Sequence, residues 1–262
     1  MTRHLKVAFA LTVLAAIATS CSIKEDRGPC PCWLDVVVSG CAGITNTLTL
    51  SAWGADALFC EDIDIRDHPD CFERTVPKGM LSVCAHLSGG NTSLEDGALL
   101  LQYGIPCDSI FTHHAAVDCT GEFARDSVIL RKQFATVYLT IVNLAEGELY
   151  PYDLSVRSAF DGIGITDGVP HPGGWSCPLV ALSDRSYAFR VPRQGDGSLV
   201  LDLYLDGDLV DTYPIGTHIL KAGYSWDEED LRDIRIGMDY GQSEPRIIIE
   251  PWEEGPVYDE II

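Results

Sequence analysis

The chain has 262 residues, 46% of them hydrophobic and 22% charged, with 39 acidic residues against 18 basic ones and a net charge of −21. So much apolar content without a low-complexity tract argues against a disordered chain. A surface this acidic repels phosphate backbones, which argues against nucleic-acid binding, and it equally disfavours an electrostatic grip on anionic lipid.

The first element is at the amino terminus. Arg3, His4 and Lys6 precede twelve mostly apolar residues, Val7 to Ala18, and the small residues Ala18, Thr19 and Ser20 lead into Cys21. A charged start, a short apolar stretch and small residues at a cut form the pattern of a signal peptide over residues 1–20. At about 1.5 Å per helical residue the apolar stretch reaches only about 18 Å, short of a ~30 Å hydrocarbon core. The tetrad Ala-Thr-Ser-Cys resembles the lipobox of bacterial lipoproteins, which implies cleavage before Cys21 and its lipidation. Several acyl chains on one residue make a stable anchor where a single chain does not. Lys24, Glu25 and Asp26 follow, a run similar to the signal by which Bacteroidetes send lipoproteins to the outer face of the outer membrane. The expectation is a chain anchored by lipid to the cell outer membrane and exposed at the surface. Loss of residues 1–20 removes Arg3 and Lys6, leaving 16 basic against 39 acidic residues, a net charge of −23.

Beyond Cys21, eight cysteines fall between positions 30 and 119: Cys30, Cys32, Cys41, Cys60, Cys71, Cys84, Cys107 and Cys119. An even set in an oxidising compartment suggests disulfides, though eight cysteines allow too many pairings to assign one. Cys30 and Cys32 flank a single proline, too close for the geometry a bond between them needs. Cys177 stands alone in the second half and reads as a buried thiol.

The remaining pattern is β. "WLDVVVS", "TLTLSAW", "MLSVCAHL", "FATVYLTIVNL", "YDLSVRSAF", "YAFRVPR", "SLVLDLYLDG" and "PRIIIEPW" are short, β-branched or aromatic runs bounded by Gly, Pro, Asp and Asn. Val137, Leu139 and Ile141 share one face of their run, with Tyr138, Thr140 and Val142 on the other. Asp206-Gly207 sits between two such runs as a hairpin turn. Helical periodicity is almost absent, the best candidate being a turn or two around "WDEEDLRD", where Asp227 is placed to cap. "GIGITDGVPHPGGW" reads as an irregular loop. Many short strands mean a sandwich or barrel. A boundary near residues 130–133 divides the chain into a cysteine-rich half, 21–131, and a second half, 132–262.

Signals for chemistry are weak. Cys107, His113, His114 and Cys119 are metal-ligand types, but their spacing is not that of a zinc site, and adjacent histidines on a strand face opposite ways. They read as a loop with two solvated histidines and no metal. Glu61, Asp62, Asp64 and Asp67 read as solvated faces. No nucleophile elbow, P-loop, zincin or dinucleotide fingerprint occurs. No catalytic residue, cofactor or metal is expected. Trp175 and Trp53 are the candidate platforms for an alternative function, glycan binding at the surface.

Three stretches carry a resemblance. The lipobox with Glu25-Asp26 and "CPCWLDVVVSG", then "DSVILRKQFATVYLTIVN", then the run from Val191 to Trp252 with Arg-Gln, a hairpin, Gly-Tyr-x-Trp and Asp-Leu-x-Asp-Ile, together resemble the FimB-like fimbrial anchor and accessory family of Bacteroidetes. The resemblance implies an all-β fold of two tandem transthyretin-like β-sandwich domains behind a lipoprotein signal peptide. It implies a non-enzymatic subunit that holds or terminates a fimbrium and joins fimbrillin-type partners by strand exchange. An unpaired sheet edge is a template for a donated strand. The expected edges are the strand around Trp33–Ser39 and the one around Arg246–Trp252, with the tail "EEGPVYDEII" beyond. The cysteine-rich first half departs from the family's pattern.

Overall fold

The computed structural model describes residues 30–144, 148, 150–239 and 246–249. The strands are β1 (Cys32–Val37), β2 (Thr47–Trp53), β3 (Ala57–Asp64), β4 (Phe72–Val76), β5 (Met80–Leu87), β6 (Thr92–Glu95), β7 (Ala98–Leu101), β8 (Phe111–Asp118), β9 (Phe123–Ser127) and β10 (Arg131–Lys132). There follow β11 (Phe134–Val142), β12 (Asp153–Gly164), β13 (Pro170–Pro178), β14 (Ala181–Ser183), β15 (Ser186–Pro192), β16 (Val200–Leu205), β17 (Asp208–Tyr213), a helix α1 (Ile215–Lys221), β18 (Ile234–Asp239) and β19 (Arg246–Ile249). The fold is all-β, as the alternation of apolar residues implies.

Four sheets form two sandwiches. In the first, a three-stranded sheet β4-β1-β9 faces a five-stranded sheet β10-β8-β5-β2-β3. Leu34 and Val36 of β1 meet Leu48, Leu50 and Ala52 of β2 and Val83 and Ala85 of β5 in one core. In the second, β14-β15-β11-β18-β19 faces β17-β16-β12-β7-β6, with β13 also paired to β12. Val137, Leu139 and Ile141 of β11 are buried there with Val156, Trp175 and Leu201, while Tyr138 on the other face is exposed. Each such side chain contributes about 1.5–3 kcal/mol on burial.

The two halves share a pairing pattern that their sequences do not show. β1 lies between antiparallel β4 and parallel β9, and β11 lies between antiparallel β15 and parallel β18. The expectation that Trp33–Ser39 forms a sheet edge is therefore corrected, because β1 is hydrogen-bonded on both sides.

The second sandwich also takes a piece of the first half. β6 and β7 form a hairpin about Asp96 and Gly97, whose φ values of 47° and 79° are the left-handed pair a tight two-residue turn needs. β7 then pairs with the far end of β12, Leu100 opposite Gly162. Gly162 is required there. A Cβ at that position would stand 2.0 Å from the Leu99 carbonyl oxygen.

Three local expectations fail for physical reasons. "GIGITDGVPHPGGW" is the β12–β13 hairpin rather than a loop, its glycines permitting close strand approach. His113 and His114 lie on β8, not in a loop, and do face opposite ways: His113 bonds Asp126, whereas His114 packs over Gly168. The helix is at "IGTHILK", where Ile215 and Ile219 bury one turn apart, and not at "WDEEDLRD", whose carbonyls are taken by a side chain.

Candidate functional site

Two features of the molecule are candidates: a polar cleft where the sandwiches meet and the open edges of the sheets. The cleft encloses about 330 Å³ between β8, the β9–β11 connection, the end of β15 and the loop before β18. Arg193, just beyond β15, reaches into the base of that loop. Its Nε donates to Gln133 Oε1 at 2.7 Å, one terminal nitrogen donates to the Trp226 carbonyl, and the other donates to the Glu228 and Glu229 carbonyls at 2.7 and 3.2 Å. Burial lowers the Arg193 pKa, and neighbouring anionic groups oppose that. A guanidinium satisfied by carbonyls organises backbone, since its fixed fork of donors suits several acceptors at once.

The same loop is tied from the opposite direction. Arg131 pairs with Glu229 and Asp230 at 2.6 and 3.0 Å, and Lys132 pairs with Asp233 at 2.6 Å. The backbone N–H groups of Lys132 and Thr136 donate to Asp230 and Asp233 at 2.8 and 3.0 Å. Tyr224 stacks edge-on against Trp226 with centroids 4.8 Å apart and donates its hydroxyl to the Arg232 carbonyl. Gln194 is buried, accepting from Ser158 Oγ at 2.6 Å. The Arg-Gln, Gly-Tyr-x-Trp and Asp-Leu-x-Asp-Ile motifs therefore converge on one clasp around the 131–136 connection. Their signal in the sequence is structural.

At the cleft wall, His113 Nε2 lies 2.9 Å from Asp126 Oδ2, and the Ile129 N–H donates to His113 Nδ1 at 3.2 Å. The imidazole thus carries its proton on Nε2. Burial pushes the Asp126 carboxyl up, but the His113 hydrogen bond, the electrostatic attraction of His113 and the Ser127 N–H outweigh it and hold it below the usual range. These groups fasten β8 to the β9–β10 connection.

Elsewhere, Asp35, Cys71 and Glu73 bring ligand-type atoms within 4.8 Å of one another. Desolvation and the Asp35 and Glu73 carboxylates push the Cys71 thiol up.

The edges differ in character. Among the described residues β19 stands last in its sheet, antiparallel to β18 with Ile236 opposite Ile249. The described part of the expected edge around Arg246–Trp252 therefore lies at an edge, and residues 250–252 lie outside the described residues. At the opposite end, β14 is short and exposed, with Val180 and Leu182 open to solvent. β17 ends the facing sheet and exposes Leu209 and Val210. Edges this short are protected against chance pairing, yet they remain the places where another strand can add.

Cys21, Lys24, Glu25 and Asp26, with the carboxy-terminal tail, lie outside the described residues. Of the described disulfide candidates, Cys30 and Cys60 are exposed, Cys71 is half-buried, and Cys32, Cys41, Cys84, Cys107 and Cys119 are buried. Cys32 and Cys119 share the first core, and Cys177, expected to be solitary, shares the second with Cys107. Cys84 faces the second core, its thiol pushed up to about 12 by burial and by Asp126 and Asp167. Trp175 is 1% exposed and donates its indole N–H to the Ile105 carbonyl, so it is no glycan platform. Trp53 is partly buried against the second core.

No known protein family and no curated protein matches the sequence. Solved structures do match the fold. A candidate adhesin from Bacteroides ovatus shares 12% identity and a TM-score of 0.59, covering 88% of this chain and 96% of its own. The fimbrial anchor protein Mfa2 from Porphyromonas gingivalis shares 13% identity and a TM-score of 0.58, covering 85% and 98%. A candidate polysaccharide-binding protein from Bacteroides thetaiotaomicron shares 13% identity and a TM-score of 0.56, covering 84% and 96%. The chain has the β-sandwich architecture of these proteins over most of its length.

Proposed function

We propose that this chain is a non-enzymatic, lipid-anchored subunit of a cell-surface fimbrium, acting as its anchor or as an accessory component. The observation that carries the reading is the shared fold with a fimbrial anchor along nearly the whole of both chains. The clasp adds to it, because the charged residues of the cleft are spent on holding chain segments. Cys21 provides the tether in this reading, with Lys24, Glu25 and Asp26 as its export signal. β19 and the exposed edges are where a fimbrillin-type partner adds or exchanges a strand, gaining main-chain hydrogen bonds while alternate side chains fill pockets.

The test is crosslinking on intact cells with a tagged copy and mass spectrometry, alongside Cys21→Ser. Recovery of a fimbrillin-like protein, with Cys21→Ser shedding both protein and fibre, establishes an anchor. Recovery of the partner with the fibre retained assigns an accessory place. No partner on cells that carry fimbriae defeats the proposal. The likeness to a candidate polysaccharide-binding protein favours surface glycan binding as the second reading. A glycan array without hits removes it.

A further inference from the structure

Cys32 and Cys119 lie at the closed end of the first sandwich, in different layers. Cys32 opens β1 in the three-stranded sheet, and Cys119 directly follows β8 in the five-stranded sheet. Their backbones are held independently around one short connection. Cys32 is paired opposite Val76, the last residue of β4, and the Cys119 N–H donates to the Gly79 carbonyl, just before β5 starts, at 2.8 Å. On the other side, the three residues after Cys119 lead to β9, and the Trp33 N–H donates to the Glu122 carbonyl at 2.9 Å. Both side chains are 0% exposed and belong to one core, with Cys32 close enough to perturb the Cys119 thiol.

We infer that Cys32 and Cys119 form a disulfide that bolts the two sheets of the first sandwich together. A disulfide needs neighbouring Cβ atoms and little freedom to separate, and four strand ends fixed around one turn supply both. The bond closes a long loop, the case in which a crosslink restricts the unfolded chain most. Its formation joins the two sulfurs with loss of two protons and two electrons. The acceptor is a small-molecule or enzyme disulfide, which is reduced to two thiols. Burial and the neighbouring Cys32 raise the Cys119 thiol pKa, so little thiolate exists in the folded state. Oxidation accordingly belongs to folding, before the core closes, and the completed bond is shielded from reductant.

The experiment does not depend on where the protein resides. The full chain is reduced, unfolded in urea and refolded in a buffer of reduced and oxidised glutathione. It is then quenched with N-ethylmaleimide, denatured and mapped by mass spectrometry without reduction. The expected result is a crosslinked peptide joining Cys32 to Cys119 in most molecules. A midpoint of thermal unfolding higher by roughly 10 °C than that of the fully reduced protein should accompany it. Cys32→Ala/Cys119→Ala should fold and show no such rise on oxidation. Recovery of both cysteines as maleimide adducts, or of either one bonded to a different cysteine, overturns the inference. A midpoint gap that persists in the double variant overturns it as well.

Discussion

Arg193 donates to Gln133 at 2.7 Å, and through that contact the end of β15 is locked to the residue linking β10 and β11. The guanidinium's other nitrogens hold the loop before β18. Arg193→Ala leaves several buried carbonyls without donors, each worth about 1–3 kcal/mol. We expect a loss of about 3 kcal/mol in urea unfolding, with Arg193→Lys recovering less than half because one ammonium cannot span the fork. A loss below about 0.5 kcal/mol would show that water replaces the guanidinium without penalty.

His86 supplies a pH dependence. It is buried on β5 opposite Thr112, and its Nδ1 has no hydrogen-bond partner. Burial lowers its pKa, and Asp62 only partly opposes that. The unfolded chain then takes up a proton near pH 6.5, where the folded chain still resists it. Stability is full above about pH 6.5 and falls as pH drops through the lowered folded value. His86→Leu should flatten the urea midpoint between pH 7.5 and 5.5. An unchanged slope in that variant assigns the dependence to another group.

Asp126 acts in a different window. Its folded pKa is depressed, so it stabilises fully above its unfolded value of about 3.9, and that contribution is lost as pH falls through the folded value. Asp126→Asn should lower stability at pH 7 while reducing the acid-limb slope below pH 4, read from denaturant midpoints. An identical slope in both proteins counts against the His113–Asp126 pair as the cause.

Gly162→Ala places a methyl against the Leu99 backbone, which cannot turn aside as a side chain could. We expect a loss of about 3 kcal/mol. Amide exchange should speed up selectively in residues 92–101. Uniform exchange across the molecule would show that the hairpin does not open as a unit.

Tryptophans separate burial from display. Trp175→Ala should cost about 4 kcal/mol by emptying a core position. Trp33→Ala, at a site 45% exposed, should change stability by less than about 1 kcal/mol. A small effect at Trp175 would mean that the surrounding core collapses into the space.

Strand identity was legible where one face is buried, as in β11, and where a turn carries its own chemistry. Asp206 and Gly207, at φ 52° and 90°, form the expected hairpin. Asp96-Gly97 bears the same signal, yet β6 and β7 were missed because their hydrophobic run is short and their partner strand lies over sixty residues away. Glycine density misled over residues 162–174, where it marks strands approaching closely rather than a loop. Helix α1 has one buried pair a turn apart and so little periodicity to read. The acidic run from Asp227 reads as a helix start only while its carbonyls are assumed free, and Arg193, more than thirty residues earlier, takes them. The pair Cys32–Cys119 follows from strand order, which spacing alone does not encode.

The hairpin β6–β7 also changes how force would travel through the molecule. With that hairpin built into the second sandwich, backbone passes between the sandwiches three times: after β5, back before β8, and again between β10 and β11. Tension applied across the junction is therefore divided among three covalent strands instead of hanging on one linker. A single proteolytic nick near residue 131 would leave the halves joined by the two other crossings.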